Sequence, residues 1–309
     1  MNVIEVVVPV FAVVLVGYLA AYSGVIKAED NDGLSRFVFN IALPVLLFNS
    51  LAKMTLPQQF NWQFFVSYYA VVLVIYGLGA WLSKRWFAVS AQEQGVLGMG
   101  AAYSNLVLIG LPIISAGLGD EALLPLFLLV SVHSAVLFFL STVMVERGDG
   151  NGRSLQQIAV QTGKSLARNP IIIGLVFGLV ANFLSVPIPG PLDEAIALLS
   201  RAALPCSLFV LGASLTAYKI SGHFAEAWLI ISLKLFLQPL LVWVLVFHVF
   251  EMDPLWSAVA VMAAGMPVGI NAYMFAQKYR VGIAVLSTAV LLSTILAVIS
   301  ESIWLLLLT

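Results

Sequence analysis

The stretch SNLVLIGLPI (residues 104–113) decides the fold, because it puts helix-disrupting residues inside an apolar run long enough to cross a membrane. Gly110 weakens a helix, and Pro112 cannot donate a backbone hydrogen bond. Asn105 adds a side-chain amide to the same run. Backbone groups freed by a break in lipid must be satisfied by protein or by a water-lined cavity. The stretch therefore predicts an interrupted membrane helix beside a polar site.

The composition supports an integral membrane protein and excludes several other classes. Of the 309 residues, 61% are hydrophobic and 9% are charged, whereas ordinary soluble domains are about 45–50% apolar and about 25% charged. A net charge of −1 without a basic run argues against a nucleic-acid partner. The single cysteine, Cys206, allows neither an internal disulfide nor a cysteine metal cluster. No GxxxxGK[ST] or HExxH pattern occurs, and we expect no cofactor.

Breaks at charged residues, glycines and prolines divide the chain into ten apolar segments of roughly the length that a bilayer requires. The first lacks a positively charged leader and carries Glu5, so we interpret it as a retained span rather than a signal peptide. The predicted spans are 4–22, 34–52, 62–83, 94–116, 122–145, 170–186, 192–218, 226–249, 255–277 and 281–308.

The distribution of basic residues predicts the orientation. The loops after spans 1, 3, 5, 7 and 9, with their flanks, contain every Lys and Arg except Lys53, Arg201 and Lys234. Basic loops face the cytoplasm, so both termini are expected on the non-cytoplasmic side.

The polar stretch 146–169 is predicted to be a cytoplasmic linker between two groups of five spans, residues 1–145 and 170–309. Because five is odd, the two groups must enter the membrane from opposite sides. If they share one fold, they form an inverted repeat, the arrangement of many transporters.

Matching features in the two halves support this repeat. Spans 2 and 7 each contain Ala-Leu-Pro near the middle, at Pro44 and Pro205, although either proline alone is typical of an ordinary helix kink. Spans 4 and 9 both combine Gly, Pro and Asn in mid-span. Paired interrupted helices indicate a transport site, and their half-helix N-termini favour an anion.

The candidate substrate-binding residues come mainly from these two interrupted spans. An alternative for the two asparagines is that they only cap broken helix ends. The predicted set is Asn105, Val107, Gly110, Pro112, Gly265, Pro267, Gly269, Asn271, Pro44, Pro205 and Lys234.

Ionisable residues inside the spans are either functional or long side chains that reach the interface. Among Arg201, Lys234 and Glu301, Lys234 is the strongest functional candidate, because Gln238 follows within one turn. Neither span 4 nor span 9 has an acid at its break, which disfavours a cation antiporter. His133 in span 5 is a proton relay or a structural hydrogen-bonding residue.

The chain resembles the auxin efflux carrier family, which includes plant auxin carriers and bacterial malonate or malate permeases. The resemblance covers nearly the whole chain and depends on the order and spacing of five motifs. These are NIALPVLLFNSLA, SNLVLIGLPI, RNPIIIGLVFGL, LPCSLFVLGASL and MPVGINAYMFAQKY.

The resemblance implies a fold similar to bile-acid symporters and sodium/proton antiporters. It implies an all-α membrane protein of ten helices in two inverted five-helix repeats, with spans 4 and 9 crossing near the midplane. Spans 1, 2, 6 and 7 would form a scaffold, and spans 3–5 and 8–10 a transport domain. A small organic anion as substrate and a homodimer are also implied. The short linker is closer to compact bacterial members than to plant carriers, so we expect a bacterial inner-membrane protein.

Together these features predict a secondary transporter of a small organic anion such as malonate or malate, working by alternating access. The alternatives are a cation/proton antiporter or sodium-coupled symporter of the same fold, and a membrane sensor that does not transport. An enzyme has the least support, because the sequence contains no recognisable nucleophile–base or metal constellation.

Overall fold

The computed structural model describes residues 3–56, 61–148, 153–220 and 222–309. Within these ranges the regular secondary structure is helical, apart from an isolated β-bridge between Ser104 and Val268. In chain order the helices are α1 Val3–Tyr22, α2 Ala28–Lys53, α3 Trp62–Phe87, α4 Ala91–Ala102, α5 Leu106–Leu118, α6 Leu123–Gly148, α7 Leu155–Ala167, α8 Pro170–Phe183, α9 Gly190–Leu215, α10 Phe224–Val249, α11 Pro254–Gly265, α12 Ile270–Tyr279 and α13 Ile283–Leu308.

Seven helices in the described ranges are long and apolar enough to cross a membrane: α1, α2, α3, α6, α9, α10 and α13. The pair α7 and α8, bent by 66° at its junction, raises the number to eight if it is counted as one span. Each predicted segment coincides with a helix or with two successive helices, so the membrane class is confirmed. The number of ten spans stays a prediction.

Short π-helical segments accommodate three of the prolines inside these helices. A proline removes one backbone hydrogen bond, and its ring clashes with the carbonyl four residues earlier. A π-helical turn has one extra residue and bonds to the fifth residue back, which relieves this conflict. The segments Val38–Ala42, Leu106–Gly110 and Leu233–Leu237 each end two residues before a proline, at Pro44, Pro112 and Pro239.

The chain forms two compact units. We call the first the crossing unit; it comprises Met1–Val7, Asn61–Thr162 and Tyr218–Thr309 within the described ranges. It therefore holds α3 to α6 and α10 to α13. The second unit comprises Val8–Phe60 and Gly163–Ala217 within the described ranges, and it holds α2, α8, α9 and most of α1.

Close helix contacts through glycine build the second unit. A methyl group at Gly178 in α8 would lie 2.9 Å from Phe48 O and 2.9 Å from Leu51 Cβ in α2. The nearby Asn182 amide donates to Leu51 O at 2.8 Å and to Met54 O at 2.6 Å. Small residues allow helix backbones to approach closely in membranes, where packing replaces the hydrophobic drive.

Glycines also join α1 and α9 in the second unit. At Gly17 an added methyl group would collide with Phe209 O, and at Gly212 it would collide with Val14 O. At one end of this unit, Lys53 Nζ in α2 and Asp193 Oδ1 in α9 form an ion pair at 2.5 Å.

The predicted linker contains more structure than its polar composition indicates. Glu146 in the last turn of α6 accepts hydrogen bonds from Arg153 and from the Tyr279 hydroxyl, the latter at 3.3 Å. The helix α7 then follows, with Ile158 as its buried residue. The linker is therefore anchored to α12 within the crossing unit.

Candidate functional site

Two interrupted helices cross in the crossing unit through their main chains. The non-helical segment Tyr103–Asn105 separates α4 from α5, and Pro267–Gly269 separates α11 from α12. The segments run antiparallel: Asn105 N donates to Pro267 O at 3.0 Å, and Gly269 N donates to Tyr103 O at 2.9 Å. The two breaks therefore satisfy part of each other's freed backbone.

The first break lies before the residues expected to cause it. Gly110 and Pro112 belong to α5, where Gly110 N donates to Asn105 O at 3.0 Å within the π-helical segment. The residues outside the helices are Tyr103, Ser104 and Asn105 instead. The expectation that Gly110 and Pro112 form the break is wrong, because the π-helical segment absorbs the proline.

In the second break Pro267 and Gly269 have direct roles. Pro267 contributes its carbonyl to the crossing, so its missing N–H costs no hydrogen bond there. Gly269 lies against the Tyr103 ring, since a methyl group at Gly269 would come within 2.5 Å of Tyr103 Cδ1. Gly269 is thus needed for the close approach of the two segments.

Side chains from two further helices bind the outward-facing N–H groups at the centre of the crossing. Ser104 N donates to His133 Nε2 of α6 at 3.0 Å, and Val268 N donates to Ser293 Oγ of α13 at 3.1 Å. Since His133 Nε2 accepts this bond, it carries no proton. His133 therefore has a structural role at the crossing, as an acceptor.

The Asn105 side chain is buried at the crossing with its amide donor unused. It is 6% exposed, and its Nδ2 has no hydrogen-bond partner in the described structure. It makes no capping hydrogen bond to α5. An unused buried donor is costly, so this amide is suited to an acceptor from a ligand.

The Asn271 side chain is exposed and belongs to a short series of hydrogen-bonded side chains. Its Nδ2 donates to the Tyr103 hydroxyl at 2.7 Å, and that hydroxyl lies 2.6 Å from Ser134 Oγ. Gly269 occupies the N-cap position of α12, and no side chain caps this helix start. Tyr103 and Ser134 are site residues that the sequence reasoning missed, although Tyr103 directly precedes the stretch SNLVLIGLPI.

A cluster of buried polar side chains lies next to the second break. Lys234 in α10 is fully buried, and its Nζ donates to Ala264 O at the end of α11. Glu301 in α13 is also fully buried, and its Oε1 would be 2.9 Å from a methyl group at Gly265. The interpretation that these two side chains reach the membrane interface is wrong for this structure. Arg201 in the second unit is exposed.

Glu301 is the residue that the sequence failed to place at the site. No acid lies within the breaks of the predicted spans 4 and 9, but α13 brings this carboxyl against the Gly265 backbone. The contact joins residues 36 positions apart, so no local pattern could reveal it. Acids are therefore missing from the breaks of the two interrupted helices, but the neighbouring helix α13 supplies one.

The other predicted site residues fall into two groups. Val107 is half-buried in the first turn of α5, and Gly265 is buried at the end of α11. Both belong to the crossing unit, close to the two breaks. Pro44 and Pro205 lie in the second unit, where Pro44 is half-buried and Pro205 is exposed.

The relatives of this chain are named as transporters or carriers. The profile of a family described as "Membrane transport protein" matches residues 2–305, and the chain belongs to this family. It is 28% identical to a protein of Rhizobium meliloti named "Putative malonate transporter", over 94% of this chain and 91% of that one. It is 22% identical to "Auxin efflux carrier component 8" of Arabidopsis thaliana, over 96% and 94% of the two chains. The predicted resemblance to auxin efflux carriers is confirmed.

Proposed function

We propose that this membrane transporter carries a small organic anion, a mono- or dicarboxylate such as malonate or malate, by alternating access at the crossing. The observation that carries the proposal is the buried Asn105 amide, unused beside two opposed helix starts. The first N–H groups of α5 and α12 are only partly used, Leu106 N by Ser104 O at 2.9 Å and Ala272 N by Gly269 O at 3.0 Å, and each helix start has a partial positive charge. Both features favour an anion.

The substrate contacts divide into side-chain and backbone groups. The Asn105 and Asn271 amides donate to carboxylate oxygens, while Val107 at the start of α5 offers its backbone N–H. Pro267 and Gly269 shape the second break, Gly265 ends the helix before it, and Gly110 and Pro112 lie in α5 after the first break. Lys234 attracts the anion through the electric field of its positive charge and does not contact the substrate, because its ammonium donates to Ala264 O. Pro44 and Pro205 are proposed to let the second unit accommodate the substrate.

The motion that we propose is a displacement of the crossing unit against the second unit, which serves as a scaffold. The grouping of helices supports this division, because the helices of predicted spans 3–5 and 8–10 belong to one compact unit. Ten spans in two inverted repeats remain part of the proposal. The reciprocal hydrogen bonds of the crossing favour it, since residues 103 and 105 pair with 269 and 267 in a two-fold pattern.

The name of the Rhizobium meliloti relative makes malonate the first substrate to test. Purified protein in proteoliposomes should take up labelled malonate, malate or a related carboxylate from a panel. Empty liposomes and liposomes with the Asn105→Asp variant serve as controls. If none of the carboxylates enters faster than into empty liposomes, the anion-transport proposal fails and the sensor alternative gains support.

A cation/proton antiporter or sodium-coupled symporter of the same fold is the second candidate. The buried Glu301 carboxyl favours it, since such a transporter needs an acid that binds the cation. It predicts cation exchange without any organic anion, so a flux assay in the absence of carboxylates separates the two candidates.

A further inference from the structure

Glu301 and Lys234 form a cluster against the end of α11 that makes no proposed contact with the substrate, and Gln238 follows Lys234 by four residues on α10. All three side chains are fully buried. Neither oxygen of the Glu301 carboxyl and neither polar atom of the Gln238 amide has a hydrogen-bond partner in the described structure. An ionised carboxylate with two free oxygens is strongly disfavoured in an apolar interior. These unused acceptors and donors leave the cluster able to bind a ligand.

The charge already present in the cluster identifies the ligand. The Lys234 ammonium occupies the carbonyl end of α11, where the helix dipole favours a positive charge. A metal cation here would be repelled by the ammonium at low dielectric, and it would need several oxygen ligands beyond one carboxylate. A proton needs a single carboxylate oxygen. The chemistry therefore favours a proton on Glu301.

The surroundings of Glu301 leave Lys234 as its ionisable partner among the described residues. From α11 the carboxyl meets the backbone at Gly265 and from α13 the Trp304 ring. The Lys234 ammonium, held at Ala264 O, faces it from α10. Through Gly117, α5 and the start of α1 pack near Leu305, one turn further along α13, and Glu5 there is exposed. His133 is bound at the first break instead, where its Nε2 accepts from Ser104 N at 3.0 Å.

The remaining charged residues on helices packed against α13 lie near its other end. Gly282, just before α13, lies against Val96 of α4, and Ser287 bonds the Lys219 backbone that precedes α10. The charged residues of these neighbouring helices, Glu93, Glu226 and Lys278, are therefore near the start of α13. Glu301 is 18 residues beyond Ile283, roughly 27 Å along the helix.

We propose that Glu301 binds and releases the proton that drives anion transport, with Lys234 as its fixed counter-charge. The proposal rests on the proposed function and adds the coupling ion. With the proton bound to a carboxylate oxygen, the cluster carries the single positive charge of Lys234 and attracts an anion at the crossing. When the proton leaves to water, the cluster becomes neutral and the anion is released. The proton and the anion therefore favour each other's binding, which is the condition for symport.

The position of the cluster supplies the path for this coupling. Gly265, which touches the Glu301 carboxyl, is two residues before Pro267, whose carbonyl binds Asn105 N. A change of charge at Glu301 therefore changes the electrostatic potential at Asn105, because Coulomb interactions are strong in a low-dielectric interior.

The first experiment measures accumulation of malonate in proteoliposomes under a pH gradient of about one unit, acid outside, with the voltage held at zero. One proton per anion gives about a tenfold accumulation, since one pH unit equals one decade in concentration. The Glu301→Gln variant, which resembles the protonated acid, should give no accumulation while retaining malonate exchange at equal pH. The exposed Glu121→Gln variant is the matched control and should accumulate as the parent does.

The second experiment needs no substrate, so it distinguishes failure of this proposal from failure of the proposed function. Infrared difference spectra between acidic and alkaline pH should contain a protonated-carboxyl band that is missing in Glu301→Gln and present in Glu121→Gln. An unchanged band in Glu301→Gln, full pH-driven accumulation in that variant, or accumulation driven by sodium alone would overturn the proposal.

Discussion

Asn105 offers the most direct test of anion binding by a single residue, because its side-chain Nδ2 is buried and has no hydrogen-bond partner in the described structure. A hydrogen bond to a charged group contributes roughly 1.5–3 kcal/mol. Replacing Asn105 by Ala should therefore weaken carboxylate binding about 10- to 150-fold. Asn271→Ala should weaken binding by at least tenfold. Binding is measured by calorimetry or by competition on purified protein.

The aspartate variants separate ligand binding from helix capping. Asn105→Asp and Asn271→Asp should bind the anion less well than the alanine variants, because each places a negative charge beside it. If the asparagines only capped helices, Asp would serve nearly as well as Asn and affinity would stay constant. Asn182→Ala is the control: it removes a donor to Leu51 O and Met54 O and should lower thermal stability without changing affinity.

At the scale of helices, opposite effects are expected for one glycine in the contact between α2 and α8 and one glycine in α3 that touches no other helix. Gly178→Ala should destabilise the protein by about 1–3 kcal/mol, because the new methyl group meets Phe48 O and Leu51 Cβ at 2.9 Å. Gly77→Ala in α3 meets nothing within 4 Å and should stabilise its helix by up to about 1 kcal/mol. Thermal unfolding in detergent measures both; equal effects would contradict the close-contact interpretation.

Sequence patterns located the helices better than the breaks between them. Composition and charged loops suffice for long apolar helices, so the segments agree with α1, α3 and α13. The first break was assigned to Gly110 and Pro112 but lies at residues 103–105, because a π-helical segment accommodates the proline. Its true cause is the pairing with Pro267–Gly269, a contact between distant parts of the chain. The position of Glu301 beside Gly265 could not be predicted either, because it also depends on a contact between distant parts of the chain.

For the molecule as a whole, the basic loops predict which end faces the cytoplasm. In a Cys206→Ala background, a cysteine at Gly163 should resist an impermeant thiol reagent in intact cells and react after lysis. A cysteine at Gly190, at the start of α9, should react in intact cells. Both glycines are exposed with nothing within 4 Å, so labelling reports the side of the membrane. The reverse pattern would invert the topology.

The whole transport cycle is expected to proceed without sodium. The Lys234 ammonium already neutralises the carbonyl end of α11, which removes the need for a metal ion there. Carboxylate uptake should therefore keep its rate when choline replaces sodium at constant pH and voltage. Strict sodium dependence would instead favour the symporter alternative.

The main-chain bonds of the crossing have a consequence for how such proteins diversify. The donors at residues 105 and 269 and the acceptors at 103 and 267 are backbone groups, so the bonds persist when side chains change, provided that residue 105 is not proline and residue 269 stays glycine. Substitutions around the crossing can thus alter which solute is recognised while the scaffold of the site persists. Changes of the side chains around the crossing can therefore produce new substrate specificities without preventing the protein from folding. A relative that differs at these side chains can still be a transporter, for a different solute.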